Sequence, residues 1–340
     1  MDFLLDPDVT FLNHGSYGAC PVPVFERYQE LQRELERNPV EFLGRRFYDL
    51  TEAARAALAS FVGARADDLV FVPNATAGLN AVIRSLRLEP GDEVLTTRHE
   101  YGAVTRTWQF AGATLVDVEP EELAAAIGPR TRAVSVSHIT SPTALVLPVE
   151  EICAAARAAG VLSIVDGAHA PGQLQLDLGQ LGADVYAGNC HKWLSAPKGA
   201  GFLWAREEHH GWIDPLVVSW GYDDGFARRH GWQGTRDPAA ALAVPAAIEA
   251  HRSFDLEGCR RLAASFHDRL PPVGPNPAPQ MWASEVATDD PDGLQRRLFD
   301  EHRIEVVVRE WEGRSLLRVS IGPYNAAADV ERLLEALNLA

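Results

Sequence analysis

Several classes are set aside by what this sequence lacks. No apolar run among its 340 residues reaches the ~18 residues that a membrane span requires. The opening stretch, MDFLLDPDVTFLN, carries acidic residues and no basic segment, so no secretory signal is expected there. Four cysteines (Cys20, Cys153, Cys190 and Cys259) are scattered without a CxxC pair. That argues against a disulfide framework and a zinc site, and it predicts a reducing, cytoplasmic setting. Basic residues are outnumbered, 31 Lys and Arg against 47 Asp and Glu, for a formal net charge of −16. Nucleic acid and anionic membranes are therefore poor candidate partners, although local amides and a few side chains can still hold a small anion. No GxGxxG, P-loop, HxH or HExxH spacing is present.

What remains has the composition of an ordinary soluble globular protein, 46% apolar and 23% charged. Its length suits a large domain and a smaller one. Apolar runs alternate with helical patterns. Leu69–Pro73 predicts a strand and Ala75–Leu86 a helix. Glu93–Thr97, Ala113–Val118 and Arg132–Ile139 predict further strands. A helix is expected over Val149–Ala159, with strands at Val161–Val165, Asp184–Ala187 and Gly201–Ala205. This spacing implies a mostly parallel α/β sheet covered on both faces, with ligands beyond the carboxyl ends of its strands. Those ends carry Asn74, Ser137–Thr140, Asp166 and Asn189–Lys192. His209–Gly234 predicts ordered loops, and helices are expected over Ala239–His251 and Leu256–Leu270. After the Pro-rich break Pro271–Pro279 come strands at Met281–Ala287, Ile304–Val308 and Leu316–Ile321. Helices at Asp292–His302 and Ala327–Leu339 complete a small α+β unit.

Three features can carry chemistry. Lys192 follows a buried strand; desolvation there would leave a neutral, nucleophilic amine, whereas a lysine beyond the strand end would simply be solvated. Asp166 ends the apolar strand VLSIV, where its carboxylate needs a cationic partner such as a protonated pyridine nitrogen, or else caps the next turn. Asn74-Ala75-Thr76-Ala77-Gly78 opens a helix whose free amides and dipole suit a phosphate, unless the turn is merely a cap.

The order of these features resembles the class V aminotransferase family of fold-type I pyridoxal phosphate enzymes. The resemblance runs from FLNHGSYGACP (11–21) to LLRVSIGPYN (316–325), and its most specific stretch is SIVDGAHAPGQLQLDLGQLGADVYAGNCHKWLSAPKGAGFLW. HEYGAV, SHITSPTALVLPVE and QGTRDP make it most similar to the isopenicillin N epimerase-like branch. The resemblance implies pyridoxal 5'-phosphate bound as a Schiff base to Lys192, with Asp166 on the pyridine nitrogen. Ala75, Thr76, Asn189 and His191 would hold the phosphate, His169 the phenolic oxygen, and Tyr101 the ring face, with His99 one register away as competitor. Arg318 would bind the substrate carboxylate, and Asn13-His14-Gly15-Ser16 would fold over the site, with Asn13 and Gly15 near the substrate. Thr235 would reach a neighbouring subunit's cofactor, implying a homodimer. The implied division is an N-terminal segment 1–25, a cofactor domain 26–238 and a small domain 239–340.

The resemblance favours an epimerase or racemase of an amino acid, or an aminotransferase. Cysteine desulfurases place a cysteine before the carboxylate arginine; His302–Ser315 has none. A C–S lyase that needs no thiol, a non-catalytic cofactor-binding protein and a metal hydrolase using His99, His138, His169 and His191 are the alternatives. Arg45 and Arg46 are candidates for a second anion contact or for a surface helix. For the proton carrier opposite Lys192, the candidates are Tyr101, His14 and water, and His138 is expected to be structural.

Overall fold

Short aliphatic and β-branched runs assemble a seven-stranded sheet in the computed structural model, which describes residues 1–338. Its strands are β2 (Leu69–Val72), β3 (Glu93–Thr96), β4 (Thr114–Asp117), β5 (Thr131–Ser137), β6 (Leu162–Gly167), β7 (Val185–Asn189) and β8 (Gly201–Ala205), in the order β2-β8-β7-β6-β5-β3-β4. All neighbours run parallel except where β8 meets β2 and β7, because the connection from β7 to β8 is too short for a helical crossover. Alternate side chains enter two separate cores. Ile164, Val185 and Leu203 pack on one face and Val165, Tyr186 and Phe202 on the other, all buried. β4, at the sheet edge, is the partly exposed exception.

A second, three-stranded antiparallel sheet is built from β9 (Met281–Glu285), β11 (Val307–Trp311) and β12 (Arg314–Ser320), in the order β11-β12-β9. The single strand expected over Ile304–Val308 divides at Val306. β10 (Ile304–Glu305) pairs in parallel with β1 (Thr10–Phe11), whereas β11 turns to β12. The N-terminal segment is thereby tied to the C-terminal core, where Leu12 is fully buried among Trp282, Val319 and Leu333. A helix at Val22–Arg37 then runs across residue 25.

Three other departures have local causes. The helix expected over Ala239–His251 breaks at Ala243, because Pro245 lacks an N–H to donate back to Ala241. Within the expected loop His209–Gly234, a short helix forms at Phe226–Gly231, entered by Gly225 at φ 88° and held by Phe226 stacked on His210 at 4.2 Å. The last helix ends at Ala336, and Leu339 lies outside the described residues. No described helix is long and apolar enough to cross a membrane.

Candidate active site

The carboxyl ends of β2, β5, β6 and β7 open into one cavity of about 330 Å³. Its walls include Thr76, Tyr101, Ser137, Asp166, His169, Asn189, His191 and Lys192, and from the N-terminal segment Ser16 and Tyr17. Two close approaches shape it. A Cβ at Gly201 would meet Asn74 Cα at 2.7 Å, so glycine lets α1 (Ala75–Ser85) start directly over the sheet edge. Gly18, at φ 70°, lies against the His191 carbonyl, where a Cβ would sit only 2.0 Å away.

At the α1 end, Asn74 is a true N-cap, its Oδ1 accepting from Ala77 N at 2.9 Å. Ala75 N donates to Asn189 Oδ1 at 2.8 Å, so this amide is already engaged by the neighbouring strand end. The Thr76 amide and hydroxyl are the groups of that first turn with no partner among the described residues. His191 Nδ1 lies 3.0 Å from the Ala200 carbonyl, which leaves Nε2 for a ligand. An anion fits this end through Thr76, His191 and the helix dipole.

Deeper in, Asp166 Oδ1 accepts from Ala168 N at 2.9 Å. The expected turn cap is therefore real, yet Oδ2 has no hydrogen-bond partner among the described residues. Burial raises the pKa of this carboxyl, and Lys192 partly offsets the rise. A protonated ring nitrogen would supply the missing partner. Burial and the charge of Arg318 bring Lys192 down to about 7, from the usual lysine range. Its Nζ lies 3.1 Å from His169 Nε2, and Trp193 Nε1 donates to His169 Nδ1 at 3.4 Å. That geometry assigns the His169 proton to Nε2, from which it donates to a neutral Lys192 amine. Burial keeps the imidazole neutral by lowering its pKa well below the usual value. A pyridine with an anionic tail and an aldehyde for the amine fits this donor set.

Arg318 stands on β12 behind the cavity wall, only 2% exposed. Nη1 donates to the Ser141 carbonyl at 2.6 Å and to Ser141 Oγ at 3.2 Å, and Nη2 donates to Ser16 Oγ at 3.1 Å. Its Nε is buried without a partner. Burial and Arg309 lower its pKa to about 9, so it stays cationic at neutral pH. Ser16 and Ser141 line the cavity and mark where its charge points.

The other expected residues fall in varied places. Tyr101 lines the cavity and is 47% exposed. Asn13 and Gly15 sit one step back. Asn13 accepts from Ser16 Oγ at 2.6 Å and donates to Glu305 at 3.3 Å, and Gly15 packs on Met281 and Ser320. His14 is a strut between the Tyr324 hydroxyl and the Lys192 carbonyl, both at 3.0 Å, with burial pulling it to about 4. Both its nitrogens are occupied, which removes it as the second proton carrier. His99 lies 2.8 Å from Thr143 and beside Trp311, outside the cavity, while His138 meets the Tyr186 hydroxyl at 2.9 Å, as a structural histidine does. The four histidines of the metal reading are thus tied to separate partners. Among the described residues, the single close group of three possible metal-binding side chains is Asp184, Glu208 and His209, which includes none of these four. Arg46 is not a second anion contact: Glu34 and Glu41 hold it at 2.6 and 3.4 Å, and Arg45 is exposed on the same helix. Thr235 is exposed and does not line the cavity of its own chain.

Sequence reading placed Ser16 only within a segment over the site, and passed over Tyr17, Ser141, Glu100 and Arg309. Glu100 sits between the two residues weighed in HEYGAV. It is partly buried, with Thr97 Oγ1 donating to it at 2.8 Å and Ser137 Oγ at 2.6 Å.

The family model Aminotransferase class-V matches residues 15–270. The chain belongs to the class V aminotransferase family. It is 39% identical to the isopenicillin N epimerase of Amycolatopsis lactamdurans, over 98% of this chain and 95% of that protein. Identity to the isopenicillin N epimerase of Streptomyces clavuligerus is 36%, over 98% and 96%. A solved cystine C–S lyase superposes with a TM-score of 0.85 at 24% identity, covering 97% of each chain. Class V membership and this fold identify a fold-type I, pyridoxal 5'-phosphate-dependent enzyme. None of its four cysteines suits persulfide chemistry. All are free, and burial raises every one of their pKa values, to about 11 for Cys20, Cys153 and Cys259.

Proposed function

We propose that this class V enzyme inverts the configuration at Cα of an amino acid, as an isopenicillin N epimerase-like isomerase. The observation that carries the reading is the inventory of proton carriers in the cavity. Epimerisation needs an acceptor on one side of Cα and a donor on the other. Lys192, with a pKa near 7, can take or return a proton, and the hydroxyls of Tyr17 and Tyr101 are further protic groups of the cavity without a partner among the described residues. A persulfide route would need a reactive thiol, and none faces the cavity. The two epimerases matched over nearly their full length favour the same reading.

When bound, the pyridine ring supplies a sink for the electron pair left at Cα. Asp166 Oδ2 would hold the ring nitrogen protonated. Thr76, Asn189 and His191 would anchor the phosphate, with Ala75 contributing through its bond to Asn189. His169 Nε2–H, released from Lys192 Nζ, would donate to the phenolic oxygen, and Tyr101 would cover one ring face. Arg318 would fix the α-carboxylate and so decide which Cα bond faces Lys192. Asn13 and Gly15 would act through Ser16, which they position.

We further propose a cytoplasmic homodimer in which Thr235 of one subunit reaches the other's cofactor. Support comes from Thr235 being exposed, with Arg236 and Asp237 lining a groove that shares Pro73 and Gly199 with the cofactor cavity. The division into 1–25, 26–238 and 239–340 goes with it, the first segment closing the site through Ser16 and Tyr17.

The test is incubation of the cofactor-loaded protein with isopenicillin N and a panel of amino acids in deuterated water. Deuterium at Cα with inversion is expected. Keto acid without inversion would make it an aminotransferase, and sulfide with pyruvate a C–S lyase. A protein that takes up the cofactor but exchanges no Cα proton of any substrate would be a binding protein instead.

A further inference from the structure

Arg309 has no counter-charge among the described residues. β11 and β12 pair so that Arg318 stands opposite Val307 and Arg309 opposite Leu316. The two arginines are therefore diagonal neighbours on one face of the hairpin, with backbones separated by roughly 7–8 Å. Elsewhere in the chain arginines meet carboxylates, as Arg98 meets Glu119 and Arg269 meets Glu331. Arg318 instead holds only neutral oxygens of Ser16 and Ser141. Arg309 makes no ion pair or side-chain hydrogen bond among the described residues, and its Nε is buried without a partner.

Its position ties it to the cavity. It stands diagonal to Arg318, whose partners Ser16 and Ser141 line the cavity, and its charge depresses the pKa of Arg318, Lys192 and His169. Two guanidiniums held close together without an anion repel each other, so the arrangement is strengthened by whatever negative charge arrives. The cofactor phosphate has its own place at the other end, by Thr76 and His191. One substrate carboxylate satisfies Arg318 alone. A second anionic group, several bonds from Cα, is needed for Arg309.

We infer that Arg309 binds a carboxylate on the substrate side chain, so that this enzyme selects amino acids with an acidic side chain. The inference rests on Arg318 holding the α-carboxylate, as proposed above. A planar fork matches a carboxylate in two parallel hydrogen bonds, which a solvated surface arginine would have no reason to offer from a half-buried position.

The experiment titrates the cofactor-loaded enzyme with aspartate, glutamate and the one-carbon-longer homologue of glutamate, each paired with its neutral side-chain amide. Binding is read from the change in the cofactor's visible absorption, independent of turnover. At least one acid should bind roughly 10–100-fold more tightly than its amide. Arg309→Met should erase that preference and leave the amides within about twofold, Arg309→Lys should keep part of it, and Arg318→Met should weaken both series. Equal binding of acids and amides by the wild type overturns the inference. So does an Arg309→Met protein, with normal cofactor absorption and melting temperature, that keeps the preference or loses both series alike. If no amino acid of either kind perturbs the absorption, the proposed amino-acid function falls, and this inference with it.

Discussion

The two walls of the cofactor cavity are built on opposite terms. On the sheet side, side chains are held by backbone groups and by one another: Asn189 by the Ala75 amide, Asn74 by the Ala77 amide, His191 by the Ala200 carbonyl, His169 between Trp193 and Lys192. On the hairpin side, Arg318 has only neutral partners and Arg309 has none among the described residues. On the proposed reading, the first wall keeps its shape around the cofactor. The second leaves positive charge that the anionic groups of a substrate would satisfy. A stable cofactor wants preorganisation, whereas a substrate wants a site improved by its arrival.

The largest expected effect tests the first wall. Lys192→Ala should abolish the borohydride-reducible visible absorption and lower turnover by roughly 10³-fold or more. A coloured, reducible and active variant would remove Lys192 from the chemistry. Asp166→Ala should retain the colour and slow Cα proton exchange by roughly 10²–10⁴-fold, measured as deuterium incorporation. Normal exchange would mean that another acid serves the ring nitrogen.

Next comes the second wall. Arg318→Met should weaken amino-acid binding by about 30-fold or more while the cofactor absorption persists. The same wall also acts on the first at a distance. Coupling of pyridoxal phosphate to Lys192 needs the neutral amine, so its rate should rise with pH around a midpoint near 7. Arg318 and Arg309 both depress that value; removing a cation makes the protonated amine easier to keep. An Arg309→Met, Arg318→Met double variant should therefore shift the midpoint to higher pH. An unmoved midpoint would show that burial alone sets the reactivity of Lys192.

The same contrast explains what could be read from the chain. Strand ends of a parallel sheet are marked by apolar runs that stop at polar residues, so Asp166, Asn189, His191 and Lys192 could be read where they stand. Antiparallel β8 could not, because its apolar run is the same in either direction. Arg309 was hidden for a different reason. In VVVREW it looks like an ordinary strand arginine, and only the β11–β12 register reveals that it flanks Arg318. Arg46 shows the converse: a basic pair suggested anion binding, but Glu34, twelve residues upstream, lies within reach once the helices pack. Asn13 and Gly15 stand three and one residues before Ser16, which lines the cavity together with Tyr17.

The smallest effect expected concerns Glu100, which stands behind the sheet-side wall and is held there by Ser137. Burial raises its carboxyl to about 7, from an ordinary 4.5, despite hydrogen bonds from Thr97 and Ser137. Because the folded-state value is raised, the native protein holds this proton where the unfolded chain has released it. Its contribution to stability is therefore greatest below the unfolded pKa and is lost as pH rises from about 4.5 to about 7. An amide at this position has no proton to lose. In the cofactor-free protein, Glu100→Gln should change stability little at pH 5 and stabilise relative to wild type by about 1–3 kcal/mol at pH 8, measured from denaturant midpoints. A difference that is flat with pH would mean that Glu100 stays ionised in the fold. The sheet-side wall would then hold a second buried negative charge beside Asp166, and its contrast with the arginine hairpin would be one of charge sign as well as of hydrogen bonding.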